Sequence, residues 1–238
     1  VADPAGPWLA IDSATEMAGL ALCDGSRLLA ESHWLSHRRH TVELGPRLVA
    51  MLEGCTLAPS DLAGIAVAIG PGSYTGLRIG LSLAKGLAMG ADLPVVGLPT
   101  LDILADALMP AHLPPAPGFW TLLQAGRGRV VAAFYPAAEP ALPEGGGPAW
   151  LRAEWPDARK LEVMSLEALA EKAGPGAWLA GELDARSRDF LSEAGLRLLP
   201  PAACLRRAGH LADLGRRRLA AGAPADPARI EPIYPLPA

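Results

Sequence analysis

The chain is poor in several residue types, and each shortage excludes something. Among 238 residues there are three cysteines, Cys23, Cys55 and Cys204, widely spaced and without a Cys-x-x-Cys pair or a Cys/His cluster. That speaks against a disulfide framework and a structural zinc site, and fits a reducing compartment. Only three of the 21 basic residues are lysine (Lys85, Lys160, Lys172), and the formal net charge is −4. No global basic footprint for holding nucleic acid is present. Long hydrophobic runs are missing too: glycines, Arg78 and Lys85 interrupt every apolar stretch well short of the ~18 residues a membrane span needs. The first residues, Val1-Ala2-Asp3-Pro4, lack the basic and apolar regions of a signal peptide. A cytoplasmic chain without membrane contact is expected.

What is present suffices for a core. Half the residues (50%) are hydrophobic and 19% are charged, which argues against disorder. The 26 glycines and 24 prolines follow no collagen-like period, and their excess gathers in breaks between apolar segments. The length allows one large domain or two lobes of about 100 residues each.

Short apolar runs at 8–11, 19–23 and 28–34, the last after Asp24-Gly25, predict three meandering strands. From Thr41 to Cys55, Leu44, Leu48 and Leu52 recur at helical spacing, with Val42 and Val49 alongside. Pro46 either kinks this helix or stands near its true start. A strand at 62–69, a helix at 75–89, a strand at 94–98 and a helix at 101–108 follow. Pro110–Gly118 reads as a lobe boundary, and Pro136–Pro148 as a long Pro/Gly loop that is the part best suited to be mobile. Between them, 119–125 and 130–135 form a hairpin. Helices at 165–173, 183–194 and 203–221 and strands near 177–180 and 196–199 complete an α/β pattern. The expected division is a first lobe over 7–108, a smaller α/β lobe over 109–222 and a Pro-rich tail over 223–238.

Strand, Gly70-x-Gly72 and helix together invite a phosphate-binding reading, because glycines let a backbone approach a phosphate at a helix N-terminus. The spacing matches neither a P-loop nor a dinucleotide fingerprint, since three residues separate Gly72 from Gly76 and Leu77-Arg78 follow. A tight structural turn is the better reading. Ser73 lacks the context of a nucleophile elbow, because Pro71 stands where the first glycine belongs. His33, His37 and His40 lie at a strand end and an Arg-bearing turn, and read as solvated rather than metal-binding. Arg206-Arg207 and Arg216-Arg217-Arg218 read as the solvated face of one helix rather than an RNA groove. In the 75–89 helix Arg78, Ser82 and Lys85 make a narrow polar stripe, and Gly76, Gly80, Ala84 and Ala88 recur every fourth residue. That row suits close approach of another helix, or burial within its own lobe.

Several blocks resemble the TsaB (YeaZ-like) family: Leu9-Ala10-Ile11-Asp12-Ser13-Ala14-Thr15, His40-Thr41-Val42-Glu43-Leu44-Gly45-Pro46, Gly70-Pro71-Gly72-Ser73-Tyr74-Thr75-Gly76-Leu77-Arg78-Ile79-Gly80 with Ala84-Lys85-Gly86-Leu87-Ala88, and Ile230-Glu231-Pro232-Ile233-Tyr234. The likeness is close over 8–108 and looser beyond. It implies a two-lobed actin/Hsp70/sugar-kinase-like (ASKHA, ribonuclease H-like) α/β fold. It also implies a non-catalytic paralogue of TsaD, the glycoprotease-like transferase that places threonylcarbamoyl on adenosine 37 of tRNA.

Where the catalytic paralogue carries two metal-binding histidines, this sequence has Thr100 and Leu104, so no catalytic metal and no catalytic residue are expected. Asp12, Ser13, Thr15, Gly70, Gly72, Ser73 and Thr75 then read as vestigial phosphate loops, with Ala14 in place of a glycine that kinase-like relatives carry. The stretch Gln124–Val131 differs at four positions from the family's Asp-Ala-Arg-Arg-Gly-Glu-Val-Tyr, so contacts ascribed to that motif do not transfer.

The resemblance makes the chain a scaffold subunit that pairs with a TsaD-type transferase, works with a TsaE-type ATPase, meets tRNA only through the complex, and forms a homodimer in isolation. It implies no cofactor of the chain's own, with ATP or ADP expected, if anywhere, at an interface of the assembled complex. The expected interface comprises Leu44, Leu48, Leu52, Gly76, Arg78, Gly80, Ala84, Lys85 and Ala88. The competing readings are an autonomous ATP-binding or protease-like enzyme and a homodimeric regulatory protein.

Overall fold

The structure, a computed structural model, describes residues 6–25, 27–108, 118–136, 161–223 and 225–235. The expected boundary at 110–118 and loop at 136–148 lie outside the described residues, apart from Gly118 and Pro136. Residues up to Ile103 together with Arg206–Tyr234 form one compact unit, and Leu104–Leu205 belong to a second.

The first unit is built on a five-stranded sheet of order β3-β2-β1-β4-β5. Its strands are β1 (Trp8–Asp12), β2 (Met17–Asp24), β3 (Arg27–Leu35), β4 (Gly64–Gly70) and β5 (Val95–Pro99). The first three are an antiparallel meander, and β4 and β5 join β1 in parallel. Every residue of β1 and β4 is buried, as befits central strands covered on both faces.

The covering helices are α1 (His40–Gly54), α2 (Tyr74–Ala91) and the last helix of the chain, Ala208–Ala220. Strand alternation shows which helix takes which face. Ile11 of β1 lies beside Gly80 of α2, whereas Trp8 and Ala66 lie beside Gly215 of the last helix. Pro46 stands inside α1. Ser73 caps α2, its hydroxyl accepting from the Gly76 N–H at 3.2 Å. The helix α3 (Thr100–Leu108) follows β5 directly.

The second unit repeats the same sheet plan, with order β10-β9-β6-β7-β8. β6 (Gly118–Gly126), β7 (Arg129–Pro136) and β8 (Glu162–Ser165) form the meander, and β9 (Trp178–Glu182) and β10 (Arg197–Leu198) add in parallel. Trp120, Leu122, Val130, Leu169, Leu179 and Leu191 fill its core beneath α4 (Leu166–Ala173) and α5 (Ala185–Glu193).

Three expectations need correction. β8 has no counterpart in the sequence reading, because four half-buried residues are too few to show a period; its ladder with β7 defines it. The helix expected over 203–221 is a short 3-10 turn at Pro201–Cys204 followed by α6 (Ala208–Ala220). That α6 and the following tail cluster with the first unit, against the expected boundaries of 109–222 and 223–238. The physical reason is the apolar row Ala208, Leu211, Ala212, Leu214 and Gly215, which is buried against β1, β2 and β4. No helix among the described residues is long and apolar enough to cross a membrane.

Candidate functional site

The β1–β2 turn and the entry to α2 meet, with Ser13 and Ala14 against Gly72, Ser73 and Gly76, while Thr75 is exposed and Gly70 lies against the tail. The chain itself occupies the close approach that the glycines allow. A Cβ at Gly72 would overlap the Ala14 carbonyl, one at Gly76 the Ser13 carbonyl, and one at Gly80 the Ser13 hydroxyl. The Ser13 hydroxyl donates to the Gly76 carbonyl at 2.8 Å, and the Ser73 N–H to the Ala14 carbonyl at 2.6 Å. Gly70, at φ +118°, lies against the Ile233 carbonyl of the tail, a position no side chain tolerates.

Asp12 ends β1 on the face that α6 covers, and its carboxylate is fully engaged. One oxygen accepts from the Ala14 N–H at 2.9 Å, the other from Arg206 Nε at 2.9 Å. Both side chains of that pair are at most 2% exposed. Arg206 also donates to the Thr15 hydroxyl at 2.9 Å, and the Thr15 carbonyl accepts from His40 Nε2 at 3.0 Å. The turn is thus closed by an arginine of the chain's own C-terminal segment.

This overturns the reading of the arginine clusters as a solvated face. Arg206 is buried on Asp12, and Arg218 is buried with its Nη2 3.2 Å from Asp102. Arg207 is exposed but paired with Glu31. Burial alone would push the Glu31 carboxyl up, yet its hydrogen bonds to Arg207, the Gly209 N–H and His33 outweigh it and hold it below the usual carboxylate range. The histidines are not uniformly solvated either. His40 is buried and His33 is half-buried beside Glu31, leaving His37 exposed. Among the described residues no group of three or more His, Cys, Asp or Glu is arranged to hold a metal.

The expected interface is corrected more sharply. Leu44, Leu48, Leu52, Gly76, Gly80, Ala84 and Ala88 are all buried inside the first unit. The small-residue row faces its own sheet because Ser13 and Ile11 stand directly beneath it. Only Arg78 (exposed) and Lys85 (half-buried) lie outward. Sequence periodicity finds the row but not the side it faces.

The outward faces hold apolar residues outside the expected interface set. Val42 and Val49 of α1 are 60% and 53% exposed, and Tyr74 and Met89 of α2 are 55% and 81% exposed. Gly86, mid-helix in α2, has nothing within 4 Å of a Cβ placed there. Replacing alanine by glycine in a helix interior costs about 1 kcal/mol, and no neighbour among the described residues explains it.

Two sheets of one repeated plan, with a glycine-rich turn at the base of α2, define a two-unit α/β protein. Solved structures share this fold. YeaZ from Pseudomonas aeruginosa superposes with a TM-score of 0.71 at 23% identity, covering 96% of this chain and 99% of that one. A second Pseudomonas aeruginosa structure, of a protein with similarity to peptidase YeaZ, gives 0.73 at 23% identity over 97% and 100%.

Part of the chain is similar in sequence to TsaB and to TsaD. The family model for TsaD, tRNA N6-adenosine threonylcarbamoyltransferase, matches residues 34–148. The tRNA threonylcarbamoyladenosine biosynthesis protein TsaB of Bacillus subtilis (strain 168) is 42% identical over 97 residues, which are 41% of this chain and 42% of the relative. The TsaB protein of Escherichia coli (strain K12) is 40% identical over 98 residues, 41% and 42% of the two chains. The matched stretch therefore spans less than half the length of these curated relatives.

Proposed function

We propose that the chain is a non-catalytic subunit in the biosynthesis of threonylcarbamoyladenosine in tRNA. It docks a TsaD-type transferase and supports that enzyme's reaction on adenosine 37 together with a TsaE-type ATPase. The observation that carries this reading is the contrast between the two sides of α2. Its inner row is locked onto Ser13 and Ala14 of a turn that Arg206 has closed. The outer side, with α1, leaves Val42, Val49, Met89 and an unexplained mid-helix Gly86 in solvent. A closed turn suits a chain that has kept the architecture without phosphate chemistry, and an exposed apolar helix face suits a partner. Likeness to TsaB and to TsaD points to the class of partner. ATP or ADP binds, on this reading, only at a surface that a partner completes.

The test uses the full chain and the TsaD-type transferase of the same organism. Light scattering should show a stable complex of the two, and the isolated chain should not hydrolyse ATP. Metal-dependent ATP turnover by the isolated chain, abolished by Asp12→Ala, would favour the autonomous-enzyme reading instead.

A further inference from the structure

Arg78 is exposed one turn into α2, and its guanidinium carbon lies 4.0 Å from the centroid of the Tyr74 ring. The Tyr74 ring is 5.2 Å from that of Tyr234, tilted by 30°. The Tyr234 phenol lies beside the same guanidinium and favours its charged form. Tyr234 reaches this place because the tail is tied down: the Ile233 N–H donates to the Ile69 carbonyl at 2.7 Å. Helix and tail thus build one exposed cluster from residues 74, 78 and 234, with the rings 55% and 38% exposed.

Charge within this face is one-sided. The 18 residues of α2 include Arg78 and Lys85 but no Asp or Glu, and the two cations stand seven residues apart, on one side of the helix. The Tyr74 ring meets both the guanidinium and the Tyr234 ring. What the cluster still offers is the planar guanidinium edge, whose fork of N–H donors matches a carboxylate. Stacking fixes that edge beforehand, so less freedom is lost when it binds. Tyrosine and arginine are also the residue types that dominate binding hot spots.

We propose that Tyr74, Arg78 and Tyr234 form the polar anchor of the docking face and receive a carboxylate side chain of the transferase, with Lys85 adding a second, weaker attraction. This rests on the docking role proposed above. RNA phosphate offers similar oxygens, but RNA binding needs several phosphates neutralised at once, and α2 brings two cations in a chain of net charge −4.

Titration calorimetry of the full chain with the transferase, at low and high salt, tests the anchor. Arg78→Glu should weaken binding about 30-fold or more and remove most of its salt dependence. Arg78→Lys should recover part of the loss, since it restores charge without the planar fork. Tyr234→Ala should weaken binding while leaving the melting temperature close to wild type. An acid-to-Arg change on the transferase that rescues Arg78→Glu would identify the carboxylate. Val49→Arg serves as the control for docking itself. If Val49→Arg abolishes pairing while Arg78→Glu changes neither affinity nor salt dependence, docking stands and the anchor is wrong. If neither variant matters, the docking role fails and the anchor falls with it. If Arg78→Glu spares pairing but weakens tRNA binding by the assembled complex, the cluster reads RNA and the proposal is overturned.

Discussion

Asp12 and Arg206 are the residue-scale signature of this chain. A buried ion pair adds little net stability, because desolvating both charges offsets most of their attraction. Removing one partner is different, since the other charge is left buried and uncompensated. Arg206→Ala should therefore lower unfolding free energy by about 3–5 kcal/mol in a denaturant titration. Asp12→Leu combined with Arg206→Met should recover much of that loss. Equal stability of the single variant and wild type would mean that Arg206 does not close the turn.

Cys23 offers a test by pH at the same scale. Burial, then the nearby Glu31 and Asp213 carboxylates, push its thiol up to about 11, with Arg207 opposing. Only the thiolate reacts, so alkylation at pH 8 should run about 100-fold slower than for an ordinary thiol. The rate should climb about tenfold per pH unit up to pH 9.5, followed by peptide mass spectrometry. A rate that levels off below pH 9 would show that burial and the two carboxylates do not raise this thiol.

At the scale of the element, α2 has two sides with opposite expectations. Ala84 is 0% exposed, so Ala84→Trp overpacks the unit's own core, which typically costs 1–3 kcal/mol. A lower melting temperature is expected, with pairing intact in whatever fraction stays folded. A variant that melts normally but no longer pairs would return the small-residue row to the interface. α1 divides in the same way: Leu44, Leu48 and Leu52 bury one stripe, while Val42 and Val49 stand outside it. The i, i+4 spacing of the leucines makes the buried stripe legible in sequence. Which of two apolar stripes a sheet will cover is decided by the sheet, and for α2 that decision rests with Ser13 and Ile11, more than sixty residues upstream.

At the scale of the whole molecule, local patterns carry most of the architecture. Continuous apolar runs mark β1 and β4, Asp24-Gly25 marks the β2–β3 hairpin, and the Gly70–Gly80 block marks the turn into α2. What local pattern cannot show is chain return. Arg206 meets Asp12 across 194 positions, and α6 has an arginine-rich sequence that looks solvated until β1, β2 and β4 lie beneath it. The tail behaves alike: its prolines forbid a helix, yet Val95 donates to the Ala225 carbonyl at 3.0 Å and Ile233 to that of Ile69 at 2.7 Å, covering the β4 and β5 side of the sheet. The closed turn and the Tyr234 cluster both depend on that return, so the site is half legible in sequence: its glycines, Asp12, Arg78 and Lys85 are visible, while Arg206 and the two tyrosines beside Arg78 are not.

The central claim is that a chain with a closed turn serves tRNA modification through the outer face of α1 and α2. The most direct measurement is the threonylcarbamoyladenosine content of tRNA, by mass spectrometry, in cells depleted of this protein and rescued with wild type or with Val49→Arg/Met89→Arg. Depletion should remove the nucleoside, wild type should restore it, and the surface variant should fail to do so while melting like wild type. Normal levels in depleted cells, or full rescue by the surface variant, would contradict the account.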